Sequence, residues 1–183
     1  NALLALMLAI TTGVTEQGAM AALARLQGVS GRMERAAILP NGAAIYVDYA
    51  HTPDALTRLL AALRPHVAGR LHVVFGAGGD RDPGKRPLMG RAAAEAADRV
   101  WITDDNPRSE NPATIRAAVM AGCQDAIDAG AREEAIAKAM GALGPGDVLA
   151  IAGKGHETGQ EIAGTIHPFD DVAVVRTLAG GAP

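Results

Sequence analysis

The sequence predicts an α/β domain of the doubly wound, Rossmann-like kind, with a mainly parallel sheet. Three observations predict it. From residue 31 onward, short apolar runs rich in Val, Ile and aromatic residues alternate with helical patterns about three turns long. That alternation implies right-handed crossovers, and therefore parallel strands. The polar, glycine-rich clusters also follow the apolar runs, where open α/β sheets bind their ligands.

The elements follow in order. Residues 1–27 read as two helices. "ALLALMLAITT" is helical by composition, Gly13 breaks it, and Thr15 is placed to cap "EQGAMAALARLQ", with Leu23 and Leu26 on one face. Residues 36–46 carry a Pro-Asn-Gly turn between apolar runs, a hairpin or an edge entry to the sheet. "AIYVDYA" is a strand, and "PDALTRLLAALRPH" is a helix with Thr52 as cap and Pro53 in its first turn. "RLHVVFG" and "RVWITDD" are strands separated by the helix "RPLMGRAAAEAA". Two helices follow, "NPATIRAAVMAGC" and "AREEAIAKAMGAL", then the strand "DVLAIAG" and a closing helix, "DDVAVVRTLAG".

Composition removes several classes of function. Aromatic residues make up 3% of the 183 positions, too few for stacking on bases. The net charge is −3 with no basic block, which argues against nucleic-acid and anionic-membrane partners. Cys123 is the single cysteine, so no internal disulfide forms, and a reducing, cytoplasmic setting is expected. The apolar run at residues 2–10 is about half of the ~20 residues that a spanning helix needs. No basic n-region precedes it, and the chain opens on Asn1 without a leader, like a piece cut from something longer.

Four polar clusters fall at predicted strand ends. "GGDRDPGKR" nearly completes a phosphate loop, but Arg86 stands where a magnesium-binding hydroxyl is needed. Asp80 and Asp82 put negative charge into the cradle, and Pro83 removes a backbone donor. Nor does "GAGGDR" complete a dinucleotide fingerprint, since Arg81 holds the last glycine position. Two readings of the stretch stay open. Arg81 and Lys85 contact an anionic ligand, or the stretch is a surface loop with internal Asp–Arg pairs. In "DDNPR", Pro107 stiffens a loop in which Arg108 offers a planar fork suited to a carboxylate, beside Asp105 and Asn106. The following Asn111 and Pro112 are explained by helix capping alone. In "GKGHE", Gly153 and Gly155 expose backbone amides, and Glu157 suits an ammonium group. "DYAHTP" sets Asp48 beside sugar hydroxyls or His51 beside a phosphate, although each alone is as readily structural. His51, His156, Asp48 and Glu157 share no zinc-like spacing, so no metal site is expected. Cys123 falls in a helical pattern and reads as buried and inert.

Five stretches occur in one order: "GRMER", "DYAHTPDAL", "GGDRDPGKRPLMG", "TDDNPRSENP" and "AGKGHE". Together they resemble the C-terminal part of the Mur ligase family, over essentially the whole chain, and most closely its diaminopimelate-adding members. The resemblance implies that residues 1–30 are the last helices of a central ATPase domain and that residues 31–183 are the C-terminal Rossmann-like domain. It implies an ATP- and Mg2+-dependent ligase that adds meso-diaminopimelate to UDP-N-acetylmuramoyl-L-alanyl-D-glutamate through an acyl phosphate, in cytoplasmic peptidoglycan synthesis. The phosphate loop, the magnesium acids and a carbamylated lysine would belong to the central domain, so the fragment alone would be inactive. By the same resemblance, Arg81, Asp105, Asn106, Pro107, Arg108, Gly153 and Glu157 match the diaminopimelate site. Arg32, Asp48, His51 and Lys85 match positions near ATP. A dinucleotide-binding domain and a non-catalytic α/β binding module are the alternatives, and folate-polyglutamate ligases are more distant relatives.

Overall fold

The computed structural model describes residues 2–25 and 28–180. Helices α1 (Ala2–Thr11) and α2 (Glu16–Leu23) form the expected hairpin. The Thr15 hydroxyl accepts a hydrogen bond from the Gly18 amide at 3.2 Å and starts the second helix. Ala19 is the buried residue of the pair, whereas Leu3, Leu4, Met7 and Leu8 all face outward. Leu26, expected on the same face as Leu23, lies outside the described residues.

The main sheet has six strands: β1 (Glu34–Ile38), β2 (Ala44–Asp48), β3 (Leu71–Phe75), β4 (Arg99–Thr103), β5 (Ile127–Gly130) and β6 (Val148–Ala152). Their spatial order is β1-β2-β6-β3-β4-β5, antiparallel only between β1 and β2. That pair is the hairpin expected at residues 36–46. Its turn is tied by Asn41, whose side chain accepts from the Ala43 amide and donates to the Leu143 carbonyl. Every residue of β3 and β6 is buried, because both faces of the sheet are covered.

Five helices cover the sheet: α3 (Pro53–Leu63), α4 (Lys85–Ala96), α5 (Pro112–Met120), α6 (Arg132–Gly141) and α7 (Asp171–Leu178). On one face, Leu56, Leu60, Met89, Ile115 and Val119 of α3 to α5 pack on Val73, Phe75 and Ile102. On the other, Ile136, Val172 and Val175 of α6 and α7 pack on Ile45, Val74 and Ile151. The change of face has a geometric cause. The chain steps outward through β3, β4 and β5, then returns through α6 to place β6 between β2 and β3. A right-handed crossover in the reversed direction puts its helix on the opposite face. The chain leaving β6 therefore turns away from the chains leaving β2 and β3, and a crevice opens between them.

Three expectations need correction. Strand β5 had no strand signal, because "IDAG" is short; pairing with β4 at Trp101–Ile127 makes it one. A second, two-stranded sheet, β7 (Gly159–Ile162) and β8 (Thr165–Pro168), was not foreseen, since it is largely exposed and lacks an apolar alternation. Finally, α5 ends at Met120, so Cys123 sits in the turn beyond the helix; it is buried, and burial pushes its thiol pKa up.

At the end of β3 away from the crevice, burial pushes the His72 pKa below the usual histidine range, with Asp147 opposing and Arg99 and Arg70 adding to the fall. His72 Nε2 lies 3.3 Å from the Asp147 carboxylate without alignment for a hydrogen bond, and Nδ1 has no partner. The unfolded chain binds this proton at about pH 6.5 and the native state only at lower pH. The unfolded state therefore holds more protons between those values, and stability falls as pH drops through about 6.5. The loss is at most about 1.4 kcal/mol per pH unit for one group. Melting temperatures from pH 7.5 to 5 should decline, and His72→Gln should flatten the decline. An unchanged pH slope in that variant would remove His72 as the cause.

Candidate functional site

The loops that follow β2, β3, β4 and β6 converge on the crevice. They line a cavity of about 310 Å3, the predicted four-loop site. Eight of the eleven residues singled out from sequence line it: His51, Arg81, Lys85, Asp105, Asn106, Arg108, Gly153 and Glu157. Three do not. Pro107 lies beneath, where its carbonyl abuts Gly79; a Cβ at residue 79 would overlap that oxygen, so only glycine lets the two loops touch. Arg32 rests over the Tyr49 ring, 4.9 Å from its centre, at the rim. Asp48 lines a separate depression with Arg58 and Thr52, and its two oxygens accept from the amides of Met33 and Ala50 at 2.8 Å each. Asp48 thus holds the chain at the entry and exit of the hairpin.

The near-phosphate loop divides its work. Arg86, which stands where the template needs a hydroxyl, is buried, and its guanidinium donates twice to Glu110, at 2.9 and 2.7 Å. That bond holds the Glu110 carboxyl below the usual range. The Asp80 carboxylate accepts from the hydroxyl and amide of Ser109, which lowers its pKa. These bonds splice the loop after β3 to the loop after β4, and they replace the Asp–Arg pairs of the surface-loop reading. Arg81 and Lys85 remain at the cavity. Arg81 donates to its neighbour's carbonyl, and Lys85 Nζ reaches the His51 carbonyl at 3.3 Å.

Behind the cavity lie groups that sequence reasoning left without a role. Lys154 is fully buried, and its Nζ donates to Asn106 Oδ1 at 3.0 Å and to Glu157 at 3.3 Å. Asn106 Oδ1 thus being occupied, its Nδ2 donates to Glu157 at 3.1 Å. Arg132 is fully buried and forms a two-pronged pair with Asp171 at 2.7 and 2.8 Å. Burial works against that charge, and the Asp171 carboxylate overrides it, so the Arg132 pKa stands above its ordinary value. Its remaining prong, Nη1, is 4.0 Å from Asp105 and makes no hydrogen bond. Gly153, at φ +116°, lies against Asp105: an added Cβ would sit 2.6 Å from Oδ2. Tyr49 also lines the cavity, with the His51 ring 4.6 Å and the His156 ring 5.2 Å away. The sequence signal for the buried pair was a lysine and an arginine beside apolar runs, which periodicity alone does not separate from surface charge.

Among the described residues no cluster of three His, Cys, Asp or Glu side chains is placed to hold a metal, and no helix is long and apolar enough to cross a membrane. The arrangement defines a doubly wound α/β binding domain whose cavity is lined by both cations (Arg81, Lys85, Arg108) and carboxylates (Asp105, Glu157). A small ligand bearing both ammonium and carboxylate groups finds groups of opposite charge for each.

A sequence profile of the Mur ligase glutamate ligase domain matches residues 31–155, and the chain belongs to that family. It is similar to the UDP-N-acetylmuramoyl-L-alanyl-D-glutamate--2,6-diaminopimelate ligase of Chelativorans sp. (strain BNC1), 57% identical over 96% of this chain and 36% of that protein. The ligase of the same name from Rhizobium meliloti (strain 1021) is 54% identical over 99% and 37%. A solved structure of such a ligase superposes with a TM-score of 0.78 at 43% identity, covering 96% of this chain and 37% of that one. The UDP-N-acetylmuramate-alanine ligase of Thermotoga maritima, at 19% identity and a TM-score of 0.67 over 98% and 36%, shares the fold. The chain spans little more than a third of the length of the curated relatives it matches.

Proposed function

We propose that the chain is the amino-acid-binding part of an ATP-dependent ligase that joins meso-diaminopimelate to UDP-N-acetylmuramoyl-L-alanyl-D-glutamate in the cytoplasm. The observation that carries this reading is the mixed-charge cavity at the switch point of the sheet, in a chain 57% identical to a ligase named for that reaction. Residues 1–30 then belong to a preceding ATPase domain, whose covering would explain the outward Leu3, Leu4, Met7 and Leu8. Arg81 and Arg108 pair with carboxylates of the amino acid, and Asp105 and Glu157 with ammonium groups. Asn106, fixed by Lys154, reads ligand polarity, while Pro107 and Gly153 set the loop shape.

ATP serves as the phosphoryl donor that turns the D-glutamyl carboxylate into an acyl phosphate. Lys85 and His51, at the cavity, and Arg32, at its rim, suit a polyphosphate passing at the mouth. Asp48 acts there by holding the 31–33 turn. Magnesium ligands are assigned to the rest of the protein. In the second step the diaminopimelate amine attacks the acyl carbon, phosphate leaves, and the nitrogen loses its proton. The work of this chain is to hold the amine in line and exclude water as the domains close.

The test is phosphate release in the presence of ATP, UDP-N-acetylmuramoyl-L-alanyl-D-glutamate and diaminopimelate. A full-length protein carrying this chain should turn over, and the 183-residue chain alone should not exceed a protein-free control. Turnover by the chain alone, or a full-length protein indifferent to diaminopimelate, defeats the reading.

A further inference from the structure

The loop that carries Arg108 is held by a second element, the β7–β8 hairpin. Arg108 is in the left-handed region at φ +52°. That conformation is strained for a non-glycine residue and persists only where neighbours impose it. Here the hairpin imposes it. The Arg108 amide donates to the Glu161 carbonyl at 3.1 Å, and the Arg108 carbonyl accepts from the Ala163 amide at 2.8 Å. Asn106 Oδ1 accepts from the Glu161 amide at 2.9 Å, and the buried Gln160 side chain donates to the Asp105 carbonyl.

The side chain of Arg108 is gripped from two directions. Nη1 donates to the Gly79 carbonyl at 2.8 Å, and Nε lies 3.1 Å from the Glu161 carboxylate. Glu161 does not line the cavity that Arg108 faces. It lines a separate depression of about 280 Å3, beside Ile166, on the other side of the Asn106–Glu157 pair. The carboxylate therefore approaches the guanidinium from behind. The Nε contact with Glu161 is an ion pair without the alignment of a hydrogen bond, and Nη2 makes no hydrogen bond among the described residues and is left to the cavity.

We infer that Glu161 is a positioning residue for amino-acid selection: it clamps the Nε side of Arg108 so that the Nη1–Nη2 edge faces the cavity and receives the distal carboxylate of the incoming amino acid. The inference rests on the proposed function for the identity of that carboxylate, but not for the clamp itself. Guanidinium–carboxylate pairing needs both groups in one plane. An arginine free to rotate about its last torsions loses that match before it loses its charge.

Two measurements test it. In the 183-residue chain without ligand, the Arg108 Nε–H signal should report restricted guanidinium rotation in NMR relaxation, and Glu161→Ala and the charge-free Glu161→Gln should both loosen it, because the contact is ionic. In a full-length ligase, Glu161→Ala should raise KM for diaminopimelate about three- to fivefold, the scale of a partly exposed ion pair. Its kcat should change less than twofold, and the kinetics with lysine should not move. Glu161→Gln, which keeps the shape but loses the charge, should raise KM for diaminopimelate nearly as much. An Nε–H signal unchanged in Glu161→Ala overturns the clamp. So does a KM for diaminopimelate that is unchanged or lower, or an equal loss with both amino acids. If the wild-type ligase does not prefer diaminopimelate, the proposed function fails while the ligand-free NMR result still decides whether Glu161 holds Arg108.

Discussion

In a full-length ligase carrying this chain, Arg108→Ala is expected to cut kcat/KM for diaminopimelate by about 30-fold to several-thousand-fold and to leave the poor value for lysine nearly unchanged. The reason is chemical. Diaminopimelate differs from lysine by a carboxylate on the distal carbon, and Arg108 presents a planar fork to the cavity. Removing the partner of a buried charge costs roughly 2–5 kcal/mol, at ~1.4 kcal/mol per decade of rate. Arg108→Lys should not rescue the loss, because an ammonium lacks the fork. The contacts with Gly79 and Glu161 supply the control. If the two amino acids lose activity by the same factor, Arg108 is splicing loops together, and selection must be sought at Arg81 and Glu157.

The second large effect concerns stability. Arg132→Met should destabilise the chain by about 3–5 kcal/mol, since it strands the Asp171 carboxylate in a fully buried site. For a domain of this size each kcal/mol is worth about 2–4 °C, so the melting temperature should fall by roughly 6–20 °C. The double change Arg132→Met with Asp171→Leu should recover most of the loss, because a buried ion pair replaced as a unit by apolar side chains is often neutral. Activity should not recover with it. Arg132 also donates to the Ala152 carbonyl, next to Gly153, and its Nη1 lies near Asp105. Thermal melts of both variants decide the matter: a single variant within about 1 kcal/mol of wild type would show that the pair is dispensable.

Much of the architecture was legible in the chain. "RLHVVFG" and "DVLAIAG" read as strands and are strands, and the caps Thr15, Thr52 and Asn111 stand where their sequence contexts placed them. The site was legible at the level of loops, because strand ends on one edge of a parallel sheet converge whatever their sequence. The β7–β8 hairpin was not. Its residues are mostly exposed, and it is held by hydrogen bonds to the Asp105–Arg108 loop, so no local apolar period announces it.

Sequence by itself determined the helices and five of the strands, which loops share an edge, and the family to which the chain belongs. Those properties are written in local periodicity, turn chemistry and ordered motifs. Tertiary structure decided what each polar residue does. It turned Asp48 and Arg86 into struts, buried Lys154 and Arg132 beneath the cavity, and set Glu161 behind Arg108. A charged side chain acquires its role from partners far along the chain, 53 positions away for Glu161 and Arg108, and pairings of that range leave no trace in the local pattern.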